Sequence, residues 1–324
     1  MCTAITYRTK DHYFGRNLDL HYHYREAVTV TPRNYPFRFR CGAKLDRHYA
    51  LIGMATVEGG YPLYYEATNE KGLSLAGLNF PGNAVYCPRS ETLDNIAPFE
   101  LIPWLLGQCV TVEEALEKVA KLNLWDMPFS ERFPLSPLHF LLADRDRAVV
   151  LEPLAEGLKV SENPLGVLTN NPPFDFHMHY LTHFMELSPR QPENRLSSRL
   201  ALEPYSFGMG AMGLPGDLSS ASRFVKAGFT KMNAVSEATE EASVNQFFHI
   251  LGSVIQQKGL TCVEDGEYEY TLYSSCCNTD KGIYYYTTYE NSRISAVDLR
   301  RCDLEGQTVC TFPLVTDWQV RYQN

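Results

Sequence analysis

Short runs of β-branched and aromatic residues, separated by turn residues, dominate the first eighty positions. They predict strands over residues 2–7, 12–17, 27–31, 49–56 and 73–78. The last of these follows the turn-like stretch at 69–72. Two later apolar runs predict strands over residues 148–154 and 166–169. The chain therefore opens as mostly strand.

Helical spacing first occurs at Val112, Ala115, Leu116 and Val119, behind a Thr111-x-x-Glu114 capping box. We expect a helical segment over about 98–122. Two further amphipathic helices are predicted over residues 221–232 and 244–255. Between these regions, residues 187–203 are polar and contain two prolines. This stretch is interpreted as an excursion arm that serves self-association.

The C-terminal third carries an alternating pattern at 267–273, a turn at 278–282 and a return strand at 283–289, which predicts a hairpin. The order of elements is strands, helices, strands, helices, strands. Because strands and helices do not alternate repeatedly, a doubly wound parallel sheet is disfavoured. We expect an α+β fold with two mainly antiparallel sheets covered by helices.

Charge and apolar stretches narrow the possible partners and location. Lys plus Arg is 29 and Asp plus Glu is 38, giving a net charge of −9, which argues against nucleic acid or an anionic membrane as the main partner. The longest apolar stretches are about half the ~20 residues of a membrane-spanning helix. No secretory signal precedes the first strand, and nine cysteines without C-x-x-C spacing fit a reducing compartment. The expected location is the cytoplasm.

Three motifs are given structural interpretations. Residues 208–213 match G-x-G-x-x-G, but no hydrophobic strand precedes them, so a nucleotide site is disfavoured. His177, His179 and His183 lie in a Pro-flanked stretch with no clear helix to hold them on one face, so we expect no metal site. Cys276 and Cys277 are adjacent and face opposite sides of a strand, as packing thiols do.

Cys2 differs in kind from the other cysteines. Removal of Met1 places a thiol and a free α-amine on one residue. The reference pKa of the amine is ~7.7–8.0 and that of the thiol ~8.5, so the amine can accept the thiol proton near neutral pH. This is the N-terminal-nucleophile arrangement, in which one residue supplies both nucleophile and base.

Arg16 and Asp19 lie on the strand expected to pair with the one that carries Cys2. A two-residue turn at 10–11 places Cys2 opposite Asp19, where a carboxylate holds the amine. The same register places Arg16 opposite Ile5 on the other face. A bulge or a longer loop is then needed before both side chains reach the thiol, so the sequence leaves the register open.

Other candidate residues lie at element ends. Arg223 falls in the first turn of a predicted helix, where a cation opposes the macrodipole, which favours an external anionic partner. Asn79 and Asn170-Asn171 end apolar strands, where an Asn side chain either caps a turn or donates to a reacting oxyanion.

Taken together, these residues resemble the choloylglycine hydrolases, the N-terminal-nucleophile family that includes bile salt hydrolases and penicillin V acylases. The resemblance spans nearly the whole chain. It rests on ordered motifs at Met1-Cys2-Thr3, Phe14-Gly15-Arg16-Asn17-Leu18-Asp19, Asn69-Glu70-Lys71-Gly72-Leu73, Gly77-Leu78-Asn79-Phe80-Pro81, Leu168-Thr169-Asn170-Asn171-Pro172, Phe174-Asp175-Phe176, Gly213-Leu214-Pro215-Gly216-Asp217, Ser222-Arg223-Phe224, Phe247-Phe248-His249-Ile250-Leu251 and Tyr270-Thr271-Leu272-Tyr273-Ser274-Ser275-Cys276.

The resemblance implies a four-layer αββα fold in a single domain over residues 1–324, and a homotetramer in which the arm reaches a neighbour. It also implies the roles of the site residues. Cys2 would be the nucleophile, with Arg16 beside the thiol and Asp19 on the α-amine. Asn170 and Asn79 would stabilise the oxyanion, and Arg223 would complete the polar cluster. No cofactor or metal is implied.

Within the family, Asn79 in the Gly-Leu-Asn motif looks like the bile salt hydrolases, since penicillin V acylases often carry Tyr there. The implied substrates are glycine- and taurine-conjugated bile salts. Penicillin V acylase, N-acyl-homoserine-lactone acylase and a non-catalytic bile-acid-binding protein stay open as alternatives. The implied substrate contacts are Leu18, Tyr65, Asn79, Phe129 and Phe133.

Overall fold

The computed structural model describes residues 1–324 and contains twenty strands and five α-helices. The strands, in chain order, are β1 (Cys2–Arg8), β2 (His12–Leu20), β3 (Ala27–Thr31), β4 (Phe37–Arg38), β5 (Lys44–Leu45), β6 (Leu51–Glu58), β7 (Tyr61–Asn69), β8 (Ser74–Asn79), β9 (Asp94–Ile96), β10 (Leu122–Leu124), β11 (Leu138–Ala143), β12 (Ala148–Leu154), β13 (Gly157–Glu162), β14 (Val167–Leu168), β15 (Cys262–Glu264), β16 (Glu267–Tyr268), β17 (Tyr270–Asn278), β18 (Ile283–Thr288), β19 (Ser295–Asp298) and β20 (Cys310–Pro313).

The α-helices are α1 (Leu101–Leu106), α2 (Val112–Val119), α3 (Phe174–Leu181), α4 (Ser220–Asn233) and α5 (Glu240–Gly252). Short 3-10 turns lie at Pro98–Glu100, Thr182–Phe184, Met209–Ala211 and Leu299–Arg301. None of these helices is long and apolar enough to cross a membrane.

Two antiparallel sheets form the centre of the fold. The six-stranded sheet has the order β14-β1-β2-β17-β18-β19, and the eight-stranded sheet has the order β13-β12-β11-β8-β7-β6-β3-β20. Helices α4 and α5 pack on the outer face of the first sheet, with α3 against α4, and α1 packs on β7 and β8 of the second. The layers are therefore helix, sheet, sheet, helix, as the resemblance implied.

The strand period of two divides the core in the eight-stranded sheet. On β11, Leu141 belongs to the cluster between the sheets, whereas Phe140 and Leu142 face α1 and α2. Val150 and its neighbour Val149 on β12 divide in the same way. Both faces of this sheet are thus buried, which explains why its strands are near-continuous apolar runs and hard to distinguish from helix by pattern alone.

The predicted elements are confirmed in most places and corrected in some. The helical segment over 98–122 is two helices, and its end at Leu122 is strand β10. Thr111 caps α2 by accepting the N–H of Glu114 at 3.2 Å, but the Glu114 carboxylate bonds to Val110 N–H instead of closing the box on Thr111. In the predicted hairpin, Glu267–Tyr268 belongs to a separate small strand, and the long first strand is β17.

The structure differs from the prediction around the histidines at 177–183. His177 and His179 lie on helix α3, so the expectation of no clear helix in this stretch is wrong. The signal was present, since Phe174, His177, Met178 and Leu181 have i, i+3, i+4, i+7 spacing. Pro173 sits immediately before the first helical residue, where its missing N–H costs nothing.

Candidate active site at the start of strand β1

The β1–β2 register is one residue away from the one that a two-residue turn gives. Arg8 pairs with His12, so the loop has three residues and is closed by Thr9 N–H donating to Asp11 O at 3.0 Å. Cys2 consequently pairs with Leu18, and Arg16 pairs with Ala4. Of the alternatives that the sequence left open, the structure therefore has the longer loop.

Cross-strand partners share a face of the sheet, so Arg16 and Cys2 face the same way, into the space between the two sheets. Asp19 lies on the opposite face. Its carboxylate accepts hydrogen bonds from Thr271 Oγ1 at 2.6 Å and from Gln256 Nε2 at 3.1 Å. Where β17 pairs with the end of β2, its register shifts between Thr271 and Tyr273. Such an irregularity changes the twist and the side-chain directions of a strand locally.

The backbone of Cys2 is held by two side chains. Its nitrogen donates to Asn170 Oδ1 at 2.7 Å, and its carbonyl accepts from Arg223 Nη1. Met1 precedes it, and the Met1 amino group donates to the carbonyl of Asp19 at 2.8 Å and lies against the Glu269 carboxylate. The Cys2 nitrogen, which becomes a free amine when Met1 is lost, therefore already hydrogen-bonds Asn170.

Arg223 projects from the first turn of α4 and is 1% exposed. Its Nη1 donates to Thr3 Oγ1 at 2.6 Å, its Nη2 to Asn170 Oδ1 at 2.8 Å and its Nε to Leu218 O at 3.0 Å. The expectation of an external anionic partner is wrong, because these donors are taken by groups of the protein itself. Burial lowers the pKa of Arg223, and the charges of Asp19 and Cys2 oppose this.

Asn170 contacts three groups through its side-chain amide. Oδ1 accepts from Cys2 N–H and Arg223 Nη2, and Nδ2 donates to the carbonyl of Asn79 at 2.7 Å. An amide nitrogen carries two hydrogens, so one donor of Nδ2 is left over.

Asn79 ends β8 and is paired with Leu138 of β11. Since Phe80 N–H donates to Pro137 O at 2.7 Å, Asn79 and Leu138 form the non-hydrogen-bonded type of antiparallel pair. The N–H of Asn79 therefore points away from β11, toward the side from which β7 diverges. Asn79 thus brings a backbone donor and the acceptor for Asn170 to one strand end.

Arg16 is fully buried in the gap between β7 and β8. A bulge between β6 and β7 leaves Tyr65 without a cross-strand partner, and Arg16 Nη1 donates to the Tyr65 carbonyl at 3.2 Å. The same nitrogen donates to Gly77 O at 2.6 Å, whereas Nη2 is buried without a hydrogen-bond partner. A guanidinium in this gap presents a free donor on the face that carries Cys2.

A buried carboxylate balances that charge. Glu66 Oε2 lies 3.8 Å from Arg16 Nη1, and Glu66 accepts from Tyr273, Ser275 and Tyr284 hydroxyls at 2.8, 3.1 and 2.5 Å. Burial works against the charge on Arg16, but the negative charges that Cys2, Tyr273 and Glu66 carry when ionised outweigh it and raise the pKa of Arg16. Burial raises the pKa of Glu66, against the effect of Arg16 and the three hydroxyls.

Burial likewise raises the pKa of Asp19, and the nearby chain amino group and Arg223 act in the opposite direction. The structure thus brings all six candidate catalytic residues to one end of the sheets. Sequence reasoning missed their supports, notably Glu66, Gln256 and Thr271. Their positions are distant along the chain from the residues they bind, and no local pattern predicts these contacts.

The candidate substrate residues lie around the same end. Leu18 is buried opposite Cys2, and the Tyr65 carbonyl accepts a hydrogen bond from Arg16. Phe129 packs against Tyr61 and Phe99 at ring distances of 5.8 and 5.2 Å. Phe133 is 5.9 Å from the ring of Tyr24, in the loop after β2. Phe129 thus anchors the loop at 125–134, and Phe133 reaches from it toward a second loop.

A cavity of about 810 Å³ lies elsewhere, at the opposite end of β1 from Cys2. It is lined by side chains of both charges, including Arg8, Asp144, Arg145 and Lys231. None of the candidate site residues lines it, so it is separate from the Cys2 cluster.

Comparison with known proteins finds relatives over nearly the whole chain. Residues 2–312 match the family of linear amide C–N hydrolases, choloylglycine hydrolase family. The chain is 55% identical over 319 residues to the bile salt hydrolase/transferase of Lactiplantibacillus plantarum, covering 98% of each chain. It is 35% identical to the conjugated bile acid hydrolase of Lactobacillus gasseri, over 98% of this chain and 100% of that one.

Solved structures agree as well. A crystal structure of a conjugated bile acid hydrolase variant from Clostridium perfringens matches with a TM-score of 0.92 and 35% identity over the whole of both chains. Penicillin V acylase from Agrobacterium tumefaciens shares the fold, with a TM-score of 0.75 and 18% identity over 96% of this chain and 90% of that one. The chain belongs to the choloylglycine hydrolase family of linear amide C–N hydrolases.

Proposed function

We propose that this amide hydrolase cleaves the bond between the steroid acyl group and glycine or taurine in conjugated bile salts, with Cys2 as nucleophile. The observation that carries the proposal is that Asn170 and Arg223 both hydrogen-bond the backbone of Cys2, while Arg16 faces the same side of the sheet as Cys2. The relatives described above are named for bile salt hydrolysis, and one of them is 55% identical over nearly the whole chain.

The chemistry begins with loss of Met1, which turns the Cys2 nitrogen into an α-amine. That amine takes the proton of the thiol, and the sulfur forms a bond to the amide carbonyl carbon. As the C–N bond breaks, the proton passes to the leaving nitrogen and a thioester remains. Water, activated by the same amine, then releases the bile acid. Asn170 accepts a hydrogen bond from the Cys2 nitrogen, and we assign to the Asp19 carboxylate a negative charge near the amine.

Oxyanion stabilisation is assigned to two donors. They are the spare N–H of Asn170 Nδ2 and the backbone N–H of Asn79, which points away from β11. Removing one such donor typically costs about 2.7–4 kcal/mol of transition-state stabilisation. Arg16, whose Nη2 has no partner within the protein, adds positive charge beside the developing anion, whereas Arg223 acts through Asn170 and the Cys2 carbonyl.

A steroid presents a rigid apolar surface, so the substrate contacts are assigned to mainly apolar side chains with a few polar groups. These contacts are Leu18, Tyr65, Asn79, Phe129 and Phe133. The aromatic contacts of the loop at 125–134 support this assignment, since Phe133 bridges toward Tyr24 across the loop after β2.

We further propose that the chain is one domain, acts in the cytoplasm and assembles as a homotetramer through the arm at 187–203. Exposed apolar side chains support this role for the arm and the turn after it. Leu196 is 78% exposed, and Phe207 is 98% exposed. Isolated apolar side chains are ordinary on a surface, but a run of them is typical of an interface.

The proposal is tested by incubating the purified protein with glycocholate and taurocholate and measuring the glycine and taurine released. We expect release by the parent and by Cys87→Ala, in which an exposed thiol is lost, and at least a 1000-fold lower rate for Cys2→Ala. Intact conjugates with a folded protein that has lost Met1 would refute the bile-salt assignment. A panel of penicillin V and N-acyl-homoserine lactones then identifies the acyl group.

A further inference from the structure

The backbone around Asn170 leaves the sheet just after β14, and side chains replace the missing ladder partners. Thr169 O faces His139 Nε2 at 2.9 Å, and Asn170 O faces His177 Nε2 at 2.9 Å. The N–H of Asn170 donates to Ser220 Oγ at 2.8 Å. Both imidazoles are fully buried. Two consecutive carbonyls are thus held by two histidines from different elements.

The carbonyl partners determine which ring nitrogen of each histidine carries a hydrogen. A carbonyl oxygen only accepts, so Nε2 carries hydrogen in both rings. Nδ1 of His177 is buried without a hydrogen-bond partner, and burial lowers the pKa of His177. His177 is therefore the neutral Nε2–H tautomer, with its ring stacked on Phe224 at a centroid distance of 5.0 Å.

His139 links this support to helix α3. Its Nδ1 lies 3.2 Å from Glu152 Oε1, and the same oxygen accepts the N–H of Phe174 at 2.9 Å. Phe174 is the first residue of α3, and His177 is on its next turn. The contacts of His139 and Glu152 therefore connect the Thr169 carbonyl to the first residue of the helix that carries His177.

We propose that His139, His177 and Ser220 are positioning residues that hold Asn170 in the geometry of the oxyanion donor. This inference rests on the proposed function, because it assumes that Asn170 stabilises an oxyanion. Oδ1 of Asn170 accepts from the Cys2 nitrogen, and one Nδ2 hydrogen is donated to the Asn79 carbonyl. These bonds orient the amide, so the direction of the second Nδ2 hydrogen depends on the position of the Asn170 backbone.

The test replaces His177 by Phe, which keeps a ring against Phe224 but has no N–H to donate. We expect kcat for glycocholate hydrolysis to fall about 10- to 100-fold, less than the 100- to 1000-fold typical of losing an oxyanion donor outright, with KM changed less than threefold. His177→Gln restores a donor and should recover most of kcat. His179→Phe is the matched control, because His179 is exposed on the same helix.

Alkylation of the Cys2 thiol by iodoacetamide separates positioning from collapse of the site, because that reaction forms no oxyanion. We expect the same alkylation rate in His177→Phe and the parent. An unchanged kcat in folded His177→Phe, or alkylation slowed as much as hydrolysis, overturns the inference. If His177→Phe does not fold, Ser220→Ala carries the same test at the N–H of Asn170. Failure of the parent to hydrolyse bile salts defeats the proposed function instead.

Discussion

At the scale of single residues, Arg16 and Glu66 show how this site tolerates a cation between two sheets. Arg16 takes the carbonyls of Tyr65 and Gly77, which the divergence of β7 from β8 leaves free, and Glu66 lies beside it. Removing one partner of a buried ion pair leaves an uncompensated charge, which commonly costs about 3–5 kcal/mol. Loss of either partner alone is therefore destabilising, apart from any effect on the site.

We expect Glu66→Gln to lower the free energy of unfolding by about 3 kcal/mol, as measured by urea denaturation. Tyr284→Phe, which removes one hydroxyl donor and keeps the carboxylate, should cost only about 1 kcal/mol. The double variant Glu66→Gln/Arg16→Met should recover part of the loss. Equal stability of Glu66→Gln and the parent would mean that Arg16 is compensated elsewhere.

The candidate catalytic residues were accessible from the sequence because they lie in local motifs, with Cys2 next to Met1 and Arg16 and Asp19 on one strand. Their supports were not accessible. Glu66 meets Arg16 only through the pairing of two sheets, 50 positions apart along the chain. For His177 the sequence argued only against a metal site. Its hydrogen bond to the Asn170 carbonyl depends on a helix that was not predicted.

At the scale of elements, Gly15 explains how β2 and β17 approach each other. A Cβ at Gly15 would lie 2.0 Å from the carbonyl oxygen of Ser275 and 2.6 Å from its carbon. Since both atoms are backbone, neither can move without separating the strands. Gly15 precedes Arg16, so its small size also sets the position of that guanidinium.

Gly15→Ala should therefore destabilise the protein by at least the ~1–3 kcal/mol typical of overpacking, measured as a lower free energy of unfolding. Hydrolysis should fall with it, because Arg16 moves with the backbone. Gly252→Ala at the end of α5 is the control, since a Cβ there meets nothing within 4 Å. A Gly15→Ala protein as stable as the control would contradict the close approach of the strands.

The predicted elements include the strands β3 and β12 and the amphipathic helices α4 and α5. Strands β7 and β11 were missed. β11 is an almost fully buried apolar run, and its pattern does not distinguish strand from helix. The β1–β2 register was open because turn length decides it, and one extra loop residue moves every side chain to the other face.

At the scale of the whole molecule, the two sheets hold the candidate catalytic cluster, whereas the candidate substrate contacts lie largely on loops. The long segment between α3 and α4 has no α-helix or strand and exposes Met185, Leu196, Leu200, Leu202, Tyr205, Phe207 and Met212. This surface belongs to the proposed assembly.

Replacing Leu196, Tyr205 and Phe207 together by Ser should shift the particle from tetramer toward monomer or dimer, as measured by sedimentation velocity. The side chains are exposed, so the melting temperature of the subunit should be preserved. Replacing Trp318 and Tyr322, which are equally exposed near the end of the chain, is the matched control. A tetramer that survives the triple change would contradict an interface through the arm and the turn after it.

Helix α3 joins two parts of the molecule that have been treated separately. One end carries His177 against the Asn170 carbonyl, and the other continues within a few residues into the arm. A partner that binds the arm and favours one setting of α3 thereby favours one setting of Asn170, and linkage requires the reverse as well. Subunit association and turnover would then share a free energy, and specific activity would vary with protein concentration.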